Sequence, residues 1–196
     1  MIAAIFGLIG VMVGALLTIA KDWWFQSMKS KKDAEYLAIQ VSCALEQYSG
    51  QCAVVVGDDG LYQGQPDENG CRRSQVSEPA FELESLKVEW KSLPAHLMYE
   101  VLDFPYKVKV ASQSVAAKFD YVAMPPDYEE GFEERQFQFA TLGITASNLA
   151  AKLRDYVELP ARIAVDWDPV SYMKEQKTTI EQQRTERASR HLLPDL

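Results

Sequence analysis

The stretch MIAAIFGLIGVMVGALLTIA, residues 1–20, contains no charged side chain, and its one hydroxyl belongs to Thr18. As a helix rising 1.5 Å per residue, it covers about 30 Å, the thickness of the hydrocarbon core of a bilayer. A cleaved signal peptide differs, because it places Lys or Arg before a shorter apolar run that ends in small residues. The stretch therefore predicts an uncleaved transmembrane helix over residues 1–20. A signal peptide and a buried soluble helix are the alternatives.

Residues 21–32 form a basic and aromatic segment directly after the apolar stretch. Indole rings favour the headgroup region of a bilayer, and an excess of lysine marks the cytoplasmic side of a membrane helix. The residues predicted to lie at the membrane interface are Lys21, Trp23, Trp24, Lys29, Lys31 and Lys32. The pattern predicts a lipid bilayer as partner, with the N-terminus outside and the rest of the chain in the cytoplasm.

Small residues recur along the apolar stretch at Ala3, Gly7, Gly10 and Gly14. At about 100° per residue, these four positions fall within an arc of about 60° on one side of the helix. Small residues let two helices approach closely in lipid, where apolar burial provides no drive for association. We predict self-association through this face and hence a homo-oligomer, although Gly and Ala are common in membrane helices without that role.

The charge of the chain is divided unevenly. Residues 1–32 hold four lysines against Asp22, a charge of +3, whereas the full chain carries −8, so residues 33–196 carry −11. A domain this acidic repels phosphate backbones, so we expect no nucleic acid as a direct ligand. The hydrophobic fraction of 47% allows one ordinary globular core, and the chain is too short to favour two such domains.

The spacing of apolar residues after the anchor is helical for most of the chain. It predicts an amphipathic helix over 33–56, a short helix over 94–103, and further helices over 105–123, 127–156 and 168–190. Asp127 and Asp168 are expected to cap the last two helices. Residues 61–93 are rich in turn formers, and the alternating run 86–90 predicts a short strand.

These elements define an all-α fold in which an N-terminal transmembrane helix leads into an up-down bundle of about four long helices, with a short strand or loop insertion. The predicted divisions are the transmembrane helix 1–20, the juxtamembrane segment 21–32, a cytoplasmic helical domain 33–180, and a polar helix end and tail 181–196. Because few apolar residues follow Ile180, we expect that last part to project. The core candidates are Leu37, Val41, Phe119, Phe137, Leu142, Leu149, Leu153 and Tyr172.

Few residues suggest chemistry. Cys43, Cys52 and Cys71 form no C-x-x-C pair and have no histidine at ligand spacing, so we expect reduced thiols and no bound metal or cofactor. Carboxylates at the start of the helix over 127–156 suit the helix dipole. Arg184 and His191 have six residues between them, which fits the Arg-x(4–6)-His pattern of HEPN-type ribonucleases. The segment around this pair is a charged helix end, and Arg187 and Arg190 fit equally well as cations near a helix C-terminus.

Four segments carry a resemblance: DAEYLA at 33–38, QCAVVVGDDG at 51–60, PPDYEE at 125–130 and DWDP at 166–169. Together they are similar to uncharacterised bacterial single-pass inner-membrane proteins with a helical cytoplasmic domain. The resemblance implies a bacterial inner-membrane location and a helical domain, and it implies no catalytic role.

The function that the sequence favours is a membrane-anchored, non-enzymatic helical module that presents its domain to a cytoplasmic protein partner. One alternative is an oligomeric membrane-perturbing effector or small channel, although the anchor lacks the polar residues that line a water path. A second alternative is an anchored enzyme whose dispersed site no motif reveals, because no phosphate loop, nucleophile elbow or zinc motif is present.

Overall fold

The structure is a computed structural model that describes residues 2–82, 90–160 and 167–192, with the side chains of 2–11, 13, 91, 191 and 192 left out. Its four long helices are α1 (Ile2–Val56), α2 (Ala95–Tyr121), α3 (Glu129–Tyr156) and α4 (Pro169–Leu192). A 3₁₀ turn at Trp90–Ser92 precedes α2, and the described residues form no strand beyond an isolated bridge. The all-α class with about four long helices is confirmed.

α1 unites the predicted anchor and the predicted amphipathic helix over 33–56 in one helix. It continues for 55 residues from Ile2 to Val56. No glycine or proline interrupts the sequence from residue 15 to residue 49, so nothing breaks the hydrogen-bond ladder at the boundary. The helix ends before Gly57, whose amide still bonds the carbonyl of Ala53 at 3.1 Å.

α2 also joins two predicted helices, and the expectation that Pro105 begins a new helix is wrong. Pro105 lies inside α2, with buried Val101 and Phe104 before it and buried Ala111 and Val115 after it. A proline within a helix costs about 3 kcal/mol, because it removes one hydrogen bond and crowds the preceding turn. Apolar burial on both sides of Pro105 offsets that cost, and the helix continues through the proline.

α3 is the central helix, because it packs against α1, α2 and α4. It runs antiparallel to α1: Arg154, near the end of α3, pairs with Glu46 at 2.6 Å, and Ser49 donates to the carbonyl of Gly143 at 2.8 Å. Further along, Arg135 near the start of α3 pairs with Asp58, which lies just after the end of α1. Residues on α1 from Ala34 to Val56 therefore supply one wall of the core.

α2 runs parallel to α1, and the predicted up-down order is wrong for this pair. Glu100 pairs with Lys152 near the end of α3, whereas Ser114 donates to Glu134 near its start, so α2 is antiparallel to α3. The connection from 57 to 94 can extend past about 100 Å, which is enough to return along the bundle before α2 begins. A long return connection replaces the short turn that up-down topology requires.

The core contains five of the eight predicted residues as buried side chains, and the other three lie at its edge. The buried ones are Leu37, Val41, Leu142, Leu149 and Leu153, and the partly buried ones are Phe119, Phe137 and Tyr172. Among the described side chains of α4, those of Met173 and Ile180 are buried instead. Gly143 lets Met173 approach, since a methyl group there would lie 2.4 Å from the Met173 sulfur.

Two predicted caps differ in outcome. Asp168 caps α4 as expected, because its carboxylate accepts from the amides of Val170 at 3.0 Å and Ser171 at 3.2 Å. Asp127 does not cap α3: the residue before the helix is Tyr128, with φ of 50°, and no side chain caps it. Asp127 lies instead 3.4 Å from Arg72. Residues 86–89 of the predicted strand lie outside the described residues, and Trp90 is in the 3₁₀ turn.

Candidate membrane segment and interaction surfaces

The segment of α1 from residue 14 to residue 20 presents apolar side chains to the surroundings on all sides. Leu16, Leu17 and Ile19 are 64–66% exposed, and Trp23 is 75% exposed. Every described side chain from residue 14 to residue 32 is exposed, and Ala34 is the first buried one. A helix that is apolar all round is ordinarily buried in a large core or in a membrane. The residues that the structure describes supply no core for this part of α1.

Among the residues that are fully described, no helix meets the length and hydropathy of a membrane span. The side chains of 2–11 and 13, more than half of the predicted span 1–20, lie outside that set. The transmembrane helix therefore stays a prediction. The same holds for the stripe of Ala3, Gly7, Gly10 and Gly14, of which only Gly14 is fully described; a methyl group there would meet nothing within 4 Å.

Residues 21–32, which we call the neck, extend from the apolar half of α1 to the bundle. The predicted interface residues are all exposed along it: Lys21, Trp23, Trp24, Lys29, Lys31 and Lys32. Lys21 lies over the ring of Phe25 at 5.8 Å, and the Trp24 indole donates to the Met28 sulfur at 2.9 Å. The neck is therefore a helical segment whose lysines are directed to solvent and whose aromatic rings are uncovered.

A buried ion pair fixes the start of the long connection to α3. Asp58 and Arg135 lie 2.9 Å apart with both side chains 2% exposed. The Asp58 carboxylate also accepts from the amides of Gly60, Gln75 and Val76, while Arg135 donates to the Val76 carbonyl. Burial by itself raises the pKa of Asp58, but these donors outweigh it and the pKa is lowered. No local pattern in the sequence links residues 58 and 135, so the pair could not be predicted.

A second ionic cluster joins α2, α3 and α4, and it corrects the expectation that the chain beyond Ile180 projects. Arg184 donates to Glu133 at 2.7 Å and to Glu134 at 2.8 Å, and its guanidinium lies 4.5 Å from the Phe137 ring. Arg187 also pairs with Glu133. Salt bridges, rather than apolar contacts, hold this part of α4, which is why a hydrophobic pattern does not reveal the packing.

Glu134 is the buried member of this cluster. Burial raises its pKa, but hydrogen bonds from Gln138, Ser114 and Arg184 outweigh that effect and the pKa is lowered. The ribonuclease hypothesis pairs Arg184 with His191, whose side chain lies outside the described residues. It stays a prediction. In the described structure Arg184 forms ion pairs with two carboxylates of α3 and therefore links α4 to α3.

Two adjoining clefts flank the connection between α1 and α2, with volumes of about 540 and 660 Å³, and both are lined by Ser74 and Phe119. Arg72 and Arg73 line the first cleft. Each lies beside a carboxylate, Arg72 with Asp127 and Arg73 with Asp67. The clefts therefore offer polar and aromatic walls on which the positive charge is already compensated.

The three cysteines lie apart and form no disulfide in the described structure. Cys43 is exposed on α1, Cys71 is partly exposed, and Cys52 is buried. Burial raises the pKa of Cys52 to about 12, against a smaller lowering by a hydrogen bond with Tyr48. A thiol with so high a pKa is a poor nucleophile at neutral pH.

The outward face of α2 carries an uncovered line of large side chains. Tyr99, Leu102, Tyr106 and Val110 follow one another at spacings of three and four and are all at least 44% exposed. They lie opposite the buried residues of α2, which contact α3. Exposed aromatic residues are enriched where proteins bind other proteins, so this face is a candidate surface for a protein partner.

The described residues contain no group of three or more metal-ligating side chains. No protein-family model matches the chain, and comparisons with the curated proteins and with the solved structures give no significant match. The function is therefore inferred from the geometry of α1, the ionic clusters and the outward face of α2.

Proposed function

We propose that the chain is a membrane-anchored, non-enzymatic helical module whose bundle is presented to a protein partner in the bacterial cytoplasm. The observation that carries the proposal is the unbroken α1, in which an all-round apolar segment continues directly into a helix buried in the bundle. Hydrocarbon stabilises such a segment, whereas water does not. The uncharged sequence of residues 1–20 extends the same reasoning to the whole predicted span.

The neck sets the distance between the bundle and the bilayer. From Lys21 to Ala34, the first buried residue, α1 rises about 20 Å as a continuous helix. The bundle is thus held at a set distance from the bilayer instead of moving on a flexible tether. The lysines of the neck favour an anionic inner leaflet, at about 1 kcal/mol for each lysine near the surface.

The buried charged side chains support a non-enzymatic role, because they form ion pairs that connect elements of the fold. Asp58 and Arg135 connect the long loop to α3, and Glu134 and Arg184 connect three helices. These paired charges stabilise the packing of the helices. The outward face of α2 takes no part in that packing and is accessible to a partner. We assign the partner to that face, with Tyr99 and Tyr106 as its large aromatic contacts.

Membrane extraction tests the anchor. The full-length chain is expected to stay in bacterial membranes after washing with alkaline carbonate. Substituting Met12→Arg together with Leu16→Arg adds up to about 3 kcal/mol per charge to insertion and is expected to move the chain to the soluble fraction. Tyr121→Arg, at an exposed position of the bundle, is the matched control and should leave the distribution unchanged. A native chain that carbonate releases would contradict the proposal.

Thiol labelling tests the orientation. Cys43 and Cys71 both belong to the bundle and are at least partly exposed. A membrane-impermeant maleimide is expected to label them in opened membranes and to leave them unlabelled in intact spheroplasts. Labelling in intact spheroplasts would place the bundle on the outer side and remove the cytoplasmic partner from the proposal.

A further inference from the structure

The two halves of α4 are held on the bundle by different kinds of contact. In the first half, the side chains of Met173 and Ile180 are buried, and Tyr172 packs at the edge of the core. From residue 181 to residue 190, which we call the arm, every side chain except that of Arg184 is exposed. Apolar burial therefore fixes the first half of α4, whereas the arm adds no described apolar side chain to the core.

Among the described residues, two arginines pair the arm with α3. Arg184 donates to Glu133 at 2.7 Å and to Glu134 at 2.8 Å, and Arg187 pairs with Glu133. The Arg184 guanidinium also lies 4.5 Å from the centre of the Phe137 ring. A planar guanidinium can bond carboxylates and lie on an aromatic face at the same time, which an ammonium group does less well. We call Glu133, Glu134 and Phe137 the guanidinium seat.

The buried carboxylate of the seat keeps other partners when Arg184 leaves. Ser114 donates to Oε1 of Glu134 at 2.8 Å, and Gln138 donates to the same oxygen at 2.6 Å, whereas Arg184 bonds Oε2. A buried polar group that loses every partner is costly, but this one retains two donors from α2 and α3. Departure of the arm also uncovers Oε2 to water. The seat can therefore lose its guanidinium without disrupting the packing of α2 on α3.

The chain has a point of weakness where the arm begins. The hydroxyls of Thr178 and Thr179 donate to the carbonyls of Lys174 at 2.9 Å and Glu175 at 3.0 Å. Such bonds to the carbonyl four residues back weaken and often bend a helix, and β-branched residues lower its propensity further. The two threonines directly precede Ile180, the last buried apolar residue among the described side chains of α4. Opening at this point moves the arm and leaves the apolar contacts of α4 in place.

We propose that residues 181–190 form a displaceable arm, which guanidinium contacts hold on α3 and which leaves α3 while the rest of the bundle stays folded. Partly exposed ion pairs contribute little each and are screened by salt, whereas apolar contacts are not electrostatic and are not screened. Rising ionic strength therefore opens the arm selectively. The open state presents two carboxylates and an aromatic ring where the closed state presents paired charges. The proposal is independent of the membrane anchor and of the partner assigned to α2.

Hydrogen exchange of the full-length chain in mild detergent tests the salt response. Between about 0.1 M and about 1 M NaCl the screening length falls from about 10 Å to about 3 Å. Exchange of residues 181–190 is expected to accelerate several-fold, while residues 169–180 and α3 keep their rates. A synthetic peptide of residues 181–190 corrects for the effect of salt on exchange itself. The variant Arg184→Ala, Arg187→Ala should exchange fast at low salt and respond little to more.

A pair of small cations tests the chemistry of the seat. N-acetylarginine amide and N-acetyllysine amide, as chloride salts at one ionic strength, screen charges equally but differ in their head groups. The arginine compound is expected to accelerate exchange of the arm more than the lysine compound, because its guanidinium competes with Arg184 for the seat. Arg190→Ala should preserve this difference, since Arg190 is 79% exposed and pairs with Glu186 on its own helix. Arg184→Ala, Arg187→Ala should remove it.

Selective acceleration of the arm by salt, with a larger effect of the arginine compound, supports the proposal. Exchange of the arm that salt leaves unchanged overturns it. Equal acceleration in the arm, in residues 169–180 and in α3 also overturns it, because the whole bundle then loosens together. A full salt response in Arg184→Ala, Arg187→Ala would show that other contacts hold the arm. Equal effects of the two compounds would exclude a seat that prefers guanidinium.

Discussion

Asp58 and Arg135 are 77 positions apart in sequence, yet their side chains form a 2.9 Å ion pair that is almost wholly removed from solvent. Replacing Arg135 by Met leaves the Asp58 carboxylate buried without its counter-charge. Removing one partner of such a pair costs about 3–5 kcal/mol. We therefore expect Arg135→Met to lower the free energy of unfolding by that amount, measured by urea denaturation of the full-length chain in mild detergent.

The double variant Asp58→Asn, Arg135→Met is the control for this prediction. It removes both charges while the asparagine oxygen can still accept from some of the amides around it, so its loss should be smaller than that of Arg135→Met alone. A double variant that is less stable than the single one would show that the loss comes from packing at Arg135 and not from an isolated charge.

The lowered pKa values of Asp58 and Glu134 predict an acid limit to stability. For both carboxyls, hydrogen bonds and a guanidinium outweigh the effect of burial and hold the pKa below its ordinary value. The stabilisation is complete above the unfolded-state pKa of about 4 and is lost as the pH falls through the native values. The melting temperature of the chain in detergent, followed by circular dichroism, should fall between about pH 5 and pH 3.

Two variants separate these groups from the general effect of acid. Asp58→Asn is expected to melt earlier at pH 7 and to show a weaker dependence on pH, because the titrating group is gone. Glu129→Gln, at an exposed position in the first turn of α3, should retain the full dependence. Equal pH profiles for all three chains would assign the acid limit to other carboxylates.

Gly143 is expected to tolerate no added methyl group. Its Cβ would lie 2.4 Å from the Met173 sulfur and 2.8 Å from the Cys52 Cβ, where α1, α3 and α4 meet. Met173 is flexible, but the Cβ of Cys52 moves only with α1, so the helices must separate. Overpacking of this kind costs about 1–3 kcal/mol. Gly143→Ala should therefore lower stability in urea denaturation, although alanine favours a helix by about 1 kcal/mol over glycine.

Asn148→Ala is the matched substitution on the same helix. Residue 148 is exposed, so alanine there adds helix propensity without meeting another element. It is expected to be neutral or slightly stabilising. If Gly143→Ala behaved in the same way, the close approach of Met173 and Cys52 to the backbone of α3 would be refuted.

The helices themselves could be predicted because their signals are local. Apolar spacing locates the residues of α3 and α4 well, and the Asp168-Pro169 start of α4 is a cap that two adjacent residues define. The same local reasoning places a helix boundary at Pro105. It fails there because burial of Phe104 on one side and of Ala111 on the other outweighs the local cost of proline.

The relations between helices could not be predicted in this way. The parallel direction of α1 and α2 depends on the course of the connection from 57 to 94. The spacing of apolar residues does not predict that course. The pairing of Asp58 with Arg135 and of Arg184 with Glu134 joins residues at least 50 positions apart. In a single sequence a buried charge has the same appearance as a solvated one. Such links become visible only once the packing brings the partners together.

Arg184 is predicted to hold the second half of α4 against α3. It pairs with Glu133 and Glu134, and its guanidinium lies over the Phe137 ring. Arg187 also pairs with Glu133, so Arg184 is the member of α4 that reaches the buried Glu134. Removing its partly exposed side chain should cost about 1–2 kcal/mol, of which the cation–π contact accounts for about half. Because Ile180 is the last buried apolar residue among the described side chains of α4, we expect the loss to appear as local opening beyond it. Hydrogen exchange of residues 181–192 should therefore accelerate in Arg184→Ala.

Arg190→Ala provides the comparison, because Arg190 is 79% exposed and, among the residues that the structure describes, pairs with Glu186 on its own helix, 3.7 Å away. An exposed pair of this type contributes at most about 0.5 kcal/mol, so exchange should change little. The two variants also separate the structural role of Arg184 from the ribonuclease hypothesis. A structural role predicts faster exchange without any effect on RNA, whereas a catalytic pair predicts RNA cleavage by the native chain that both Arg184→Ala and His191→Ala abolish. Unchanged exchange in Arg184→Ala would show that the salt bridges to α3 do not hold the helix end.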